Sequence, residues 1–233
     1  MIYDRARSSV AEMTLSEVDL DKIFEGKTML HITGITPALS PDMREVSKVI
    51  IKEAKNRGLK INFDVNYRSK LWSLEEASAF LKEVLPHVDY LSATKLDAVN
   101  LLGIPEVEEG VSDELNYYYE QIHQMFPNIQ VIYSTIRNVI SATHNTLQGT
   151  MWVKGLTYYS KVHDIDYIID RIGGGDAFAS GILHGILSGQ KPDYTVNFAT
   201  AYSSLKHSVS GDINPFSIEE TERIMTHNAT VNR

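Results

Sequence analysis

At 233 residues, 43% of them hydrophobic, the chain is long enough for one large domain or two small ones and is expected to be globular. A net charge of −8, from 22 basic and 30 acidic residues with no basic cluster, argues against nucleic acid as a partner, because phosphate backbones are held by grouped Lys and Arg. A cysteine count of 0 removes disulfides, thiolate nucleophiles and cysteine metal sites, and suits a cytoplasmic protein.

The opening Met1-Ile-Tyr-Asp-Arg5 lacks the basic-then-apolar order of a secretory signal, and no apolar run approaches the length of a membrane span. Strand-like and helix-like segments then alternate. Met29 to Ile35 reads as a strand, and Ser40-Pro41 opens a helix through Val46, Val49, Ile50 and Ala54 that stops at Gly58. Lys60 to Val65 is the next strand. Ser73, with Glu76 three residues on, forms a capping box for a helix whose inner face is Ala77, Phe80, Leu81, Val84 and Leu85. Tyr90 to Ala93 reads as strand, Lys95 to Leu102 and Ser112 to Phe126 as helices, and Gln130 to Tyr133 as strand. Between about Val139 and Ile165 the pattern turns β-rich, broken at Gly149 and at Lys154-Gly155, as in a hairpin ribbon. Helices from Asp176, from about Tyr194 and from about Ser217 finish the chain. Apolar strands alternating with helices imply an α/β fold with a mostly parallel sheet covered on both faces, and the absence of a linker or repeat favours one domain over residues 1–233. In such sheets ligands bind beyond the carboxyl ends of the strands, which directs attention to Asn66-Tyr67-Arg68, to Ser134-Thr135-Ile136-Arg137 and to the turn at Gly173.

That turn reads Asp170-Arg-Ile-Gly-Gly-Gly-Asp176-Ala-Phe. Three glycines run into a helix whose buried stripe is predicted to be Phe178, Ile182, Leu183, Ile186 and Leu187, with Ala177, Ala179, Ser180, Gly181 and Gly185 forming a thin side. Two readings fit the spacing. Glycine N–H groups at a helix start could cradle a phosphate, with Asp176 beside it as a base; or an acidic residue merely complements the helix dipole. A Walker phosphate loop is excluded because G-x-x-x-x-G-K-[ST] is missing, and a dinucleotide G-x-G-x-x-G would need glycine where Phe178 stands. His31, His144, His184 and His207 have no paired metal-ligand spacing, and Tyr117-Tyr118-Tyr119 is best read as packing.

The Asp170–Phe178 turn resembles the C-terminal signature of the ribokinase-like (PfkB) carbohydrate kinases, written D-T-x-G-A-G-D-x-F. Three more stretches are similar to that family in the same order: Tyr3-Asp-Arg5, His31 to Pro41, and Phe63-Asp-Val-Asn-Tyr-Arg68-Ser-Lys-Leu-Trp72. Within the family the chain most resembles the 2-keto-3-deoxygluconate kinases. The resemblance implies a three-layer ribokinase-like sandwich and transfer of the ATP γ-phosphoryl group, with Mg²⁺, to a hydroxyl of a sugar or sugar acid. It implies Asp176 as base, the N–H groups of Gly173, Gly174 and Gly175 as an anion hole, Tyr3, Arg5, Arg68 and Asp212 as sugar-acid contacts, and Ser134, Thr135, Arg137 and Thr200 on the nucleotide side. No residue is assigned as a metal ligand. It leaves self-association open and implies a cytoplasmic enzyme whose partners are small molecules.

Family members begin with strands, a lid and a glycine-containing sugar contact ahead of the Tyr-x-Arg position, which here is Tyr3 and Arg5, so the chain is expected to correspond to the later and larger part of such a kinase. Losing the first strands of a parallel sheet would leave an unpaired edge and remove the flap that excludes water. Three functions stay in view: a sugar-acid kinase, a fructokinase- or ribokinase-type enzyme, and a non-catalytic nucleotide- or sugar-binding remnant.

Overall fold

The structure, a computed structural model, describes residues 8–107 and 113–226, and the chain divides into two compact units, residues 1–132 and 133–233. The first unit follows the expected alternation. It contains α1 (Leu20–Phe24), β1 (Met29–Thr33), α2 (Ile35–Ala38), α3 (Pro41–Asn56), β2 (Lys60–Asp64), α4 (Leu74–Val84), β3 (Tyr90–Ser92), α5 (Lys95–Leu102) and α6 (Glu114–Met125). Strands β1, β2 and β3 pair in parallel, with Ile32 opposite Phe63 and Phe63 opposite Leu91. Because helices cover such strands, successive residues Ile61, Asn62 and Phe63 are all buried, and no polar alternation is left.

Local chemistry sets the helix starts. Ser40 accepts from the Met43 N–H and Pro41 takes the first helical position of α3, where a missing N–H costs nothing. Ser73–Glu76 forms the expected capping box of α4, and Thr94–Asp97 forms another for α5, which ends on left-handed Gly103. The short α1 and α2 carry no periodic signal that sequence reading can catch.

Before β3, the buried Asp89 carboxylate takes hydrogen bonds from Lys55, Lys60 and the Ile61 N–H. Burial pushes its pKa up, but the bonds from Lys60, Ile61 and Lys55 outweigh that and hold the group below the usual carboxylate range.

The second unit contains β4 (Val131–Val139), which begins two residues before the unit boundary, β5 (Asn145–Val153), β6 (Leu156–Tyr159), β7 (His163–Ile165), α7 (Gly174–Leu187), α8 (Pro192–Lys206) and α9 (Ile218–Thr226). Strand β5 neighbours β4 and pairs antiparallel with β6 and with β7, forming the expected ribbon. Lys154 (φ 51) and Gly155 (φ 86) make the tight β5–β6 turn, whose two positive angles match strand twist.

Three sequence expectations are corrected here. Strand β4 runs on past Tyr133 to Val139, so Ser134, Thr135 and Arg137 lie within the strand rather than beyond its end. Gly149 does not break the ribbon; it lies inside β5, where a Cβ would strike the Thr200 hydroxyl and come within 2.6 Å of the Phe178 ring. In α7 the thin side makes the expected close approach, Gly181 meeting the Ala199 backbone and Gly185 the Thr195 side chain, both on α8, and Phe178 and Ile182 of the expected stripe are buried, but Leu187 is 63% exposed. Leu187 is the last residue of α7, two positions past the Gly185 contact.

Gly149→Ala should therefore destabilise the chain by about 1–3 kcal/mol through overpacking against Thr200 and Phe178, read as a lower urea midpoint with unchanged slope.

Candidate functional site

The approach to α7 is built from main-chain groups. The N–H groups of Ile169 and Asp170 donate to the His207 carbonyl at 2.8 and 3.3 Å. The Asp170 carboxylate then accepts from the Ile172 N–H at 3.1 Å and from the Gly211 N–H at 3.0 Å, tying the glycine turn to the turn that carries Asp212. These two bonds, Ile172 first, hold Asp170 below the usual carboxylate range.

Gly173 caps the helix at φ +76, and a Cβ there would lie 2.5 Å from the Asp212 carbonyl oxygen. Both facts demand glycine. Gly174 is buried; a Cβ on it would meet the His207 ring at 2.9 Å, and its carbonyl accepts from the Ser203 hydroxyl at 2.8 Å. Gly175 and Asp176 are exposed, and a Cβ on Gly175 would meet nothing within 4 Å. Among the described residues no backbone carbonyl accepts from the N–H groups of Gly175 and Asp176, whereas the Ala177 N–H already bonds Gly173. Open space, two unspent donors and the positive end of a 14-residue helix thus coincide at the Asp176 carboxylate. An oxyanion fits there.

Other expected residues are placed as follows. Asp212 is exposed on the turn beside Gly173. On β4, Ser134 is buried with its hydroxyl 3.1 Å from that of Thr150, Thr135 is half-buried, and Arg137 is exposed. Thr200 is wholly buried in α8 and donates back to the Val196 carbonyl at 2.7 Å. Arg68, in the first unit, is exposed after β2 and donates to the Tyr67 carbonyl at 3.1 Å. Tyr3 and Arg5 lie outside the described residues. The structure therefore gathers Gly173, Gly174, Gly175, Asp176 and Asp212 around one turn.

Sequence reading missed Ser203 on α8 and His207 at its carboxyl cap, which back that turn. A buried histidine close to a glycine gives no spacing signal. His207 Nδ1 lies 2.8 Å from the Ser203 carbonyl, an acceptor only, so Nδ1 carries the proton. Burial first, then the charges of Lys206, Arg137 and Arg171, press the ring's pKa below the ordinary histidine value, against the opposing pull of the Ser203 bond. The sign follows. Below about 6.5 the unfolded chain takes up a proton before the folded one does, so this contribution is complete above that pH and is lost as pH falls through the lower folded value. Between about pH 8 and about pH 5, wild type should lose more stability than His207→Gln in urea unfolding; equal losses would contradict a neutral buried ring.

Comparison with known proteins gives a consistent picture. The profile of the pfkB family carbohydrate kinases matches residues 1–219. The chain is 30% identical over 227 residues to the 2-dehydro-3-deoxygalactonokinase of Haloferax volcanii, covering 97% of itself and 65% of that protein's length. Among solved structures, a PfkB family carbohydrate kinase from Listeria grayi superposes with TM-score 0.90 at 45% identity, over 97% of this chain and 68% of the other. The 2-dehydro-3-deoxygluconokinase of Thermotoga maritima gives TM-score 0.92 at 32% identity, over 97% and 69%. The α/β architecture is thus the ribokinase-like one, and the chain belongs to the pfkB family of carbohydrate kinases.

Proposed function

We propose that the chain supports transfer of the terminal phosphoryl group of ATP to a hydroxyl of a small sugar acid, with 2-keto-3-deoxygluconate, giving its 6-phosphate, as the substrate to test first. The observation that carries this reading is the exposed Asp176 carboxylate set in the same helical turn as the unspent N–H groups. A sugar hydroxyl does not ionise near neutral pH, so a carboxylate must accept its proton as the O–P bond forms. Asp176 takes that proton, while the N–H groups of Gly175 and Asp176 hold phosphate oxygens with no reorganisation; the expected donor at Gly174 is already bonded to the Arg171 carbonyl at 3.4 Å. ATP supplies the phosphoryl group and Mg²⁺ neutralises phosphate charge. The open face of Gly175 fits the anion, and Mg²⁺, which favours phosphate oxygens and water with one or two carboxylates, needs no protein cage.

Kinases of 2-dehydro-3-deoxy sugar acids among the relatives support an acidic substrate. On this reading Arg68, with Tyr3 and Arg5, pairs with the substrate carboxylate, for which a planar guanidinium is suited, and Asp212 bonds a sugar hydroxyl. Thr135 and Arg137 face the nucleotide, and Ser134 and Thr200 shape the wall behind it.

Asp176→Asn should lower turnover by on the order of 10²-fold or more while leaving ATP affinity nearly unchanged, measured by a coupled ADP-release assay and calorimetry; undiminished turnover would refute the role. A panel of 2-keto-3-deoxygluconate, fructose and ribose separates sugar-acid from neutral-sugar activity. ATP-dependent thermal stabilisation without turnover on any of them would instead assign a binding role. Gly175→Ala should fold at least as stably as wild type, since alanine favours the helix by up to about 1 kcal/mol, yet turn over more slowly because its methyl enters the anion's space. A wild-type rate in Gly175→Ala would place the phosphoryl group elsewhere.

A further inference from the structure

We propose that Arg171 is a phosphate ligand for the nucleotide, held in advance beside the amino end of α7 by the turn between β4 and β5. The proposal rests on the kinase reading above. Arg171 is exposed, yet its side chain is anchored: Nη2 donates to the carbonyls of Ser141 at 3.3 Å and Ala142 at 2.7 Å and to Oδ1 of the buried Asn145 at 3.3 Å. All three acceptors are neutral. Among the described residues no carboxylate lies within ion-pair distance of it, and no hydrogen bond engages Nη1 or Nε. An exposed arginine ordinarily wanders through many rotamers; here that freedom is already lost, so an incoming anion would not have to order it.

Its position is also electrostatically marked. The charges of Arg171, of Arg137 on β4 and of buried Lys206 all reach His207, whose ring lies against Gly174 in the first turn of α7. Arg171, Arg137 and Lys206 thus share this turn with the carboxylates of Asp170, Asp176 and Asp212 and with the amino end of α7, where, among the described residues, Gly175 and Asp176 keep free donors. Carbonyl anchoring leaves the guanidinium charge intact, so Nη1 and Nε, on either side of the anchored Nη2, are available for single charge-assisted bonds to phosphate oxygens. A purely structural strap would explain the anchoring of Nη2 but not why, among the described residues, Nη1 and Nε are left without acceptors.

Calorimetric titration of the whole chain with ATP and, separately, with adenosine tests this. Arg171→Gln should weaken ATP binding by roughly 10-fold or more while leaving adenosine affinity unchanged, because the loss follows the phosphates. Arg171→Lys should bind ATP more weakly than wild type and more tightly than Arg171→Gln, since it keeps a point charge without a guanidinium that can be anchored and still donate. If Arg171→Gln does not fold, Arg171→Lys carries the test against wild type. ATP affinity unchanged in the variants, or ATP and adenosine weakened by the same factor, would overturn the proposal and leave Arg171 a strap. If wild type binds no ATP, the kinase reading falls with it; if wild type binds and the variants match it, only the role of Arg171 falls.

Discussion

Gly181 lies against the Ala199 backbone and Gly185 against the Thr195 side chain, with no room for a Cβ at either place, and this contact fixes how closely α7 lies on α8. A helix seated on its neighbour without intervening side chains cannot slide or roll without a clash, because interiors are packed at crystal-like density. The same closeness continues to the end of the helix, where Gly174 meets the His207 ring and Gly173 meets the Asp212 carbonyl. Rigidity of the candidate site thus comes from α8 and the turn after it. Asp170, bonded to both turns, closes the arrangement by hydrogen bonds where packing stops.

Preorganisation of this kind has an electrostatic purpose. Two N–H groups without acceptors at an exposed helix start are an unfinished feature by the ordinary rule that backbone donors are paired, and solvent or an anion must complete them. Arg171, Arg137 and Lys206 lie near this turn, alongside the carboxylates of Asp170 and Asp212. Asp176 stands in the same turn, so a ligand held by the donors would be brought next to a carboxylate. The overall acidity of the chain is no obstacle, since potentials at contact range are set by local groups and distant surface charges are screened by salt.

Elements with strong local signals were legible. Capping residues announced α3 and α4, and continuous apolar runs announced buried parallel strands, because both depend on neighbours within a few residues. Where the signal was tertiary the reading went astray. Gly149 looked like a break and is a point of close approach; Leu187 looked like core and is exposed; β4 looked shorter than it is, since its second half is exposed and continues no apolar run.

For the candidate site the division is similar. The run from Asp170 to Phe178, with its glycines and its carboxylate, was complete in the sequence, because a turn entering a helix is a contiguous object. Folding alone placed His207 and Ser203 behind Gly174, brought the Asp212 turn to Gly173 and anchored Arg171 on the hairpin. Each of those contacts joins residues some 26 to 39 positions apart, and a chain can specify such a meeting only through the packing of the elements between.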